Sequence, residues 1–446
     1  MRPRGFAFAA ALIAFVCLSA PSSAQSFDLR DLLTDFLREG ITLAPPPAGF
    51  PSHEAHFIGA DSPQFQAVQQ LNGQIADQLS SFPLASSAGG FTYVFDTALG
   101  VFVRSSDSFG PVFAERSDTI GKGRFNLGVN YSHFTFDQLN DLDLRAGDLR
   151  LVFTHQDINH DNSSEEPFFE GDVIQAQLSL KITTDITAFV FNYGLTDRFD
   201  VGAAIPVVRV AIDARTDAEI DRLATGTVAP GIHRFQNGTA HETFSQSGSA
   251  SGVGDVLLRA KYRLTSGTKY GLAIGTDFRL PTGDERDLLG TGATQIKPYL
   301  IGSAHFGAFS PHVNLGYTWS IHPSDGRHRP SEIDYTGGFD WALSPRVTFA
   351  ADVIGRTFVN AGIVAVENHT FQANTNPDPT APPTNVFADL PRLVVNPGDV
   401  NTLLGSVGLK INPVGNLLIT INGLFSIGKE GLQDKFTPTV GLDYSF

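Results

Sequence analysis

Phe436-Thr-Pro-Thr-Val-Gly-Leu-Asp-Tyr-Ser-Phe446 closes the sequence, and its alternation decides the fold. Val440, Leu442, Tyr444 and Phe446 fall on one side of an extended chain, and Thr439, Gly441, Asp443 and Ser445 on the other. A period of two is what a β-strand imposes on its side chains. Such a strand has one face for apolar surroundings and one for polar ones. The same grammar recurs upstream. In Asp255 to Leu264 one face carries Val256, Leu258, Ala260, Tyr262 and Leu264, and the other Asp255, Leu257, Arg259, Lys261 and Arg263. Leu272 to Leu280 sets Leu272, Ile274, Thr276, Phe278 and Leu280 against Ala273, Gly275, Asp277 and Arg279, and His312 to Trp319 repeats the pattern. Burying such charged rows in a soluble sandwich would cost several kcal/mol per unpaired ion. A hydrated lumen avoids most of that cost, although a sandwich with its polar face outward is the competing arrangement.

The terminal stretch resembles the C-terminal assembly signal of bacterial outer-membrane β-barrels, matched at Thr439, Gly441, Tyr444 and Phe446. Connection lengths point the same way. Short turns at 195–199, 265–268, 307–310, 343–346 and 412–415 alternate with long polar stretches near 137–172, 214–251, 282–292, 321–331, 358–399 and 428–435. Outer-membrane barrels have short periplasmic turns and long outer loops. Six loops and five turns predict an all-β antiparallel transmembrane barrel of twelve strands over residues 121–446, starting at Gly123 to Ser132, with both termini in the periplasm. Three places fit badly. The apolar parity changes between Ile182 and Thr187, which predicts either one long bulged strand or two strands with a tight turn at Thr183-Thr184-Asp185, the second choice making fourteen with a further strand near Asp148 to His155. Pro206 and Pro298 fall inside strands, where each removes a ladder hydrogen bond, and a bulge is expected at both.

The opposite end of the chain sets the compartment. Arg2 and Arg4, an apolar run from Phe6 to Leu18 and Ser22-Ser23-Ala24 form a secretory signal over 1–24, cleaved after Ala24. The single cysteine, Cys17, lies within it, so the mature chain has no thiol chemistry. Removing two of the 31 basic residues leaves 29 against 46 acidic ones, a formal charge of −17, which argues against nucleic-acid binding. Secretion, acidity and 36 Phe without a long apolar run suit a Gram-negative outer membrane, with its lipid and the barrel-assembly machinery as partners.

Residues 25–120 form an N-terminal extension, either a periplasmic appendage or a partial plug. Phe27, Leu29, Leu32, Leu33, Phe36 and Leu37 recur at helical spacing, and a second helix is expected from about Pro63 to Leu79. Neither is stable alone, so each must lay its apolar side on something. Thr92 to Arg104 reads as two short strands around a turn at Asp96 to Gly100, and the chain through Arg116 as a linker.

Gly194-Leu-Thr-Asp-Arg-Phe-Asp-Val-Gly202, Ser251-Gly-Val-Gly-Asp-Val-Leu-Leu-Arg-Ala-Lys-Tyr-Arg263 and Leu280-Pro-Thr-Gly-Asp-Glu-Arg-Asp-Leu-Leu-Gly-Thr-Gly292 resemble the outer-membrane proteins labelled with the meta-pathway of phenol degradation, usually described as transporters. The likeness covers roughly 185–446. It implies a passive, porin-like channel for small aromatic or hydrophobic solutes; a structural or adhesive surface barrel with an occluded lumen is the alternative.

Inward Asp255, Arg259, Lys261, Arg263, Asp277, Arg279, Lys297, Asp352, Arg356 and Lys410 would line that lumen, either selecting solutes or pairing across strands. Asp284, Glu285, Arg286 and Asp287 sit on an outer loop that either constricts the mouth or is merely exposed. Asp157, Asn159 and Asp161 carry oxygens at alternate positions as in a calcium loop, but Asn162 stands where the turn needs Gly and Phe168 where a bidentate Glu is required, so a solvated acidic loop is the competing reading. The 12 His show no pair at metal-binding helical spacing, and no cofactor is expected. The chain does not read as an enzyme: the Ser–His motif of outer-membrane phospholipases is absent, with His322-Pro-Ser324-Asp325-Gly326 the nearest approach.

Overall fold

The computed structural model describes residues 28–48, 57, 62–80, 82, 86, 90–96, 101–104, 106–155, 168–226, 231–265, 269–321, 323, 329–378 and 380–446. The signal sequence, Asp157, Asn159, Asp161 and the His322 to Gly326 motif (Pro323 excepted) lie outside the described residues. Twelve strands form one antiparallel ring: β1 (Phe125–Leu139), β2 (Val173–Gly194), β3 (Phe199–Asp221), β4 (Val256–Arg263), β5 (Tyr270–Leu280), β6 (Thr294–Ala304), β7 (Phe309–Ile321), β8 (Glu332–Ser344), β9 (Val347–Phe358), β10 (Val400–Ile411), β11 (Leu417–Ser426) and β12 (Thr437–Ser445). The ring closes where β1 pairs with β2 on one side (Phe125 opposite Tyr193) and with β12 on the other (Asn126 opposite Ser445). Closure removes the free edges that a lipid environment cannot satisfy.

Side chains divide as the alternation requires. On the outward face Leu300, Val313, Leu315, Ile421 and Leu442 are each more than half exposed. Left in water, each would forgo roughly 1.5–3 kcal/mol of burial, which hydrocarbon supplies instead. Tyr193, Tyr270, Phe306, Trp341, Tyr444 and Phe446 are likewise exposed and cluster near the short turns, the position of an interfacial aromatic girdle. Thr439 and Gly441 of the terminal signal point inward. The Thr439 hydroxyl pairs with that of Ser132 at 2.9 Å, and a Cβ at Gly441 would lie 2.2 Å from Asn130 Oδ1.

The parity change is neither a bulge nor a turn. β2 and β3 pair without interruption from Val173–Asp221 to Gly194–Asp200, and even-numbered residues of both face inward throughout. What changes is the surroundings. Near the short turns the outward residues are Phe189, Phe191 and Tyr193, facing lipid; farther up they are Gln175, Gln177, Ser179 and Lys181, facing water, while Ile174, Leu178, Leu180 and Ile182 face an apolar interior. Strand Leu149–Thr154 pairs with the upper part of β2 and His241–Val253 with the upper part of β3, both outside the ring, so the count stays twelve.

Both prolines fall where a ladder bond is dispensable. The Pro206 carbonyl accepts from Gly254 N–H at 2.8 Å, so the missing N–H faces the junction at which β3 changes partner from β4 to strand 241–253. At Pro298 the β6–β7 pairing skips Lys297 and Pro298 and resumes in the same register, a gap rather than a bulge.

The N-terminal chain lies within the ring and its outer extensions. Helices α1 (Leu32–Gly40) and α2 (Pro63–Ser80) bury Leu33, Phe36, Leu37, Val68, Leu71 and Ile75 in one cluster with the upper parts of β1, β2 and β3. Asp28 stands 3.9 Å from Arg286 of the outer loop, so the described chain starts at the outer end, contrary to the expected periplasmic N-terminus. Backbones 93–96 and 101–104 pair as the expected hairpin. Beyond the ring, Ile363–Asn374 and Asn385–Asn396 form a separate hairpin.

Candidate functional site: the occupied lumen

Residues 106–121 cross the interior of the barrel at its short-turn end, from Thr348 and Lys410 to Ser303 and Asp200, and are not an exposed linker. The Phe109 N–H donates to Thr348 Oγ1 at 2.9 Å, Glu115 N–H to Asn314 Oδ1 at 2.7 Å, and Ile120 N–H to Asp200 Oδ2 at 3.0 Å. An irregular backbone cannot satisfy itself, so inward polar side chains take the place of a ladder.

The ten predicted inward charges all face the interior, and the segment accounts for many of their partners. Arg259 forks onto both oxygens of Asp277 at 2.7 Å and reaches Glu115 at 2.5 Å. Lys261 meets Glu115 at 3.4 Å and the Arg116 carbonyl at 3.2 Å. Arg263 pairs with Asp118 at 3.2 Å and Lys410 donates to Pro111 O at 2.6 Å, while Arg279 reaches the end of α2 instead, donating to Ser80 O at 2.6 Å. The others bind wall to wall or wall to loop. Lys297 lies 3.7 Å from Asp334, Arg356 binds Glu332, and Asp352 pairs with His312 at 2.6 Å. Asp255 accepts from the Thr291 backbone and hydroxyl at 2.7 Å and from Gly283 N–H at 3.1 Å, pinning the 281–293 loop.

That loop packs against the start of the chain. Glu285 pairs with Arg30 at 3.5 Å and the Arg286 carbonyl accepts from Arg30 N–H at 2.7 Å, while Arg286 itself is largely exposed. Partial burial, then the nearby Asp284 and Asp28, push the Asp287 carboxyl above its ordinary range.

The linker reading hid Glu115, Arg116 and Asp118, and alternation marks His312 and Asp340 only as inward positions. The one available signal was the dense charge of Glu115-Arg116-Ser117-Asp118, too short to carry a period. Arg116 is sealed against Asp340 at 2.6 Å. Asp118 receives His305 at 2.8 Å and Arg263 at 3.2 Å. Burial opposes its ionisation, but the His305 hydrogen bond and the charges of His305, Arg263 and Arg116 outweigh it and bring its carboxyl down to about 2.

Beside the segment an inner cavity of about 120 Å³ remains, lined by Phe82, Phe113, Arg259, Tyr299, Gly316 and Arg356 among others. Phe82 also borders a void of about 30 Å³ next to Phe134, Phe136, Phe358 and Phe425, and its ring lies 4.1 Å from that of Phe134. On the lipid side a hollow of about 750 Å³, almost wholly apolar, is lined by Tyr262, Ile274, Pro298, Leu300, Leu315 and Tyr317. Tyr299 and Gly316 line both the inner cavity and this hollow. The wall is thin there: a Cβ at Gly275 would fall 2.3 Å from the Tyr299 ring, and the adjacent ladder is the one interrupted at Pro298.

The family model described as "Putative MetA-pathway of phenol degradation" matches residues 167–375, just under half of the chain, so the resemblance read from the three motifs is found by sequence comparison as well. No curated protein matches the chain by sequence. Among solved structures, the chain is similar to the COG4313 outer membrane channel from Pseudomonas putida F1 at 13% identity, over 74% of this chain and 97% of that one, with a TM-score of 0.43. It is similar to a Pseudomonas aeruginosa FadL homologue at 12% identity, over 80% and 94%, with a TM-score of 0.29, and to the KdgM porin at 9%, over 62% and 98%, with a TM-score of 0.32.

Proposed function

We propose that this barrel is an outer-membrane channel for the passive uptake of small aromatic or hydrophobic solutes. The signal over 1–24 exports it and the terminal signal passes it to the barrel-assembly machinery. The observation that carries the reading is Tyr299: one side chain separates an inner cavity bordered by Phe82 and Phe113 from an apolar hollow facing lipid. A solute of low polarity gains nothing from a water-filled exit. The interior ion pairs leave such a path few unsatisfied charges to desolvate, and no cofactor or catalytic step is required. The inward charges then hold the plug and brace the wall. Residues 25–120 act as that plug, and Asp284 to Asp287 close its outer end. Uptake of radiolabelled ethylbenzene by cells with an intact lipopolysaccharide leaflet should rise when the chain is present; equal rates with and without it overturn the reading. Because residues 106–121 cross the lumen at its short-turn end, a structural or adhesive barrel is the second reading, and equal rates favour it.

A further inference from the structure

At the outer surface, away from the lumen, α2 presents Gln66, Gln69, Gln70, Gly73, Gln74 and Asp77 along one stripe, at the spacing that keeps helical residues on one side. Together with Arg329, Pro330, Asn360 and Ala361 they line an open groove of about 570 Å³, within the roughly 300–1,000 Å³ of small-ligand clefts. A second hollow of about 270 Å³ continues it past Gln66 and Gln70 to Arg392.

Two features are not explained by packing. Gly73 lies inside an 18-residue helix, where glycine costs about 1 kcal/mol relative to alanine, yet a Cβ there would meet nothing within 4 Å. The floor of the groove is kept bare where a side chain would fit and would strengthen the helix. Gln74 is 7% exposed and donates its amide to the carbonyls of Ala361 and Gly362 at 3.2 and 2.9 Å, while its Oε1, buried at the groove, has no partner among the described residues. A buried acceptor without a donor costs about 1–3 kcal/mol, a cost that packing alone does not require at this wall of the groove.

We propose that this groove binds a neutral saccharide. Carboxamides donate and accept together, as hydroxyls do, and Gln66, Gln69, Gln70 and Asn360 offer several in a row. Asp77 is paired with Arg329 at 3.4 Å, so the lining calls for neither an anion nor a cation. Pro330 and Ala361 supply the apolar patch on which the C–H side of a sugar ring rests. The sugar is either free or the glycan of an outer-leaflet glycolipid, and the site is independent of the transport reading.

The test uses the full chain in detergent, titrated calorimetrically with maltotriose, cellotriose and N,N′-diacetylchitobiose, and in a second arm with purified lipopolysaccharide. At least one probe should bind. Gly73→Leu, which fills the floor without burdening the helix, should weaken that binding at least tenfold, and Gln70→Ala several-fold, with the unfolding midpoint unchanged or raised for Gly73→Leu. Binding confined to lipopolysaccharide and lost in Gly73→Leu assigns the glycolipid as the source. Failure of every probe to bind, or equal affinity in both variants, overturns the proposal.

Discussion

Arg116 and Asp340, 224 residues apart in the chain, meet at 2.6 Å with side chains 1% and 0% exposed, tying the lumen segment to the barrel wall. Removing one partner of such a pair costs about 3–5 kcal/mol, because the other is left charged and buried. His312, 3.5 Å from Asp340, offsets part of that. Arg116→Met should therefore lower the unfolding midpoint in detergent by a loss near the lower end of this range. The double variant Arg116→Met/Asp340→Leu should recover most of it, since it leaves no orphaned charge.

Arg259→Glu should destabilise rather than retune. The arginine is shared between Asp277 and Glu115, so reversal sets three carboxylates against one another inside the wall. The measurable outcome is new proteolysis of residues 106–121 and an unstable conductance in planar bilayers. A stable variant with only a shifted reversal potential would show instead that the charge acts on permeating ions.

Acid should loosen the segment at Asp118. Its carboxyl lies at about 2 in the folded chain against an ordinary 3.8, so the folded state binds this proton more weakly. The contribution, about 2 kcal/mol, is complete above pH 3.8 and is lost as pH falls through about 2. Protease accessibility of 106–121 should rise over that window. Asp118→Asn should flatten this dependence while weakening the segment at neutral pH.

Tyr299→Ala should join the inner cavity to the lipid-side hollow and raise ethylbenzene uptake several-fold, at a stability cost of about 3–5 kcal/mol for the lost ring. Unchanged uptake in a folded variant would remove the wall at Tyr299 from the route.

Deleting Phe446 should reduce the heat-modifiable, folded fraction in outer membranes. Its N–H donates to Phe125 O at 2.7 Å across the closing seam, and its ring lies 4.7 Å from Tyr444 and 5.9 Å from Phe125. Full assembly without Phe446 would separate the seam from the signal.

Alternation along Val256 to Arg263 or Thr437 to Ser445 was enough to determine an antiparallel barrel, because side-chain direction in a strand is fixed locally and lipid asks the same of every strand. The same pattern misread β2 and β3. Ile182 and Phe191 both look apolar in sequence, yet one faces the buried cluster of α1 and α2 and the other the membrane, and height above the bilayer is set by the assembled ring. Turn lengths gave the number and order of strands, and the spacing of Leu32 to Leu37 and Pro63 to Leu79 gave the two helices. Where Glu115, Arg116 and Asp118 go could be decided only by tertiary structure. Their partners, Arg259, Asp340 and Arg263, lie more than 140 residues away, and a contact made through space leaves no period in the chain that makes it.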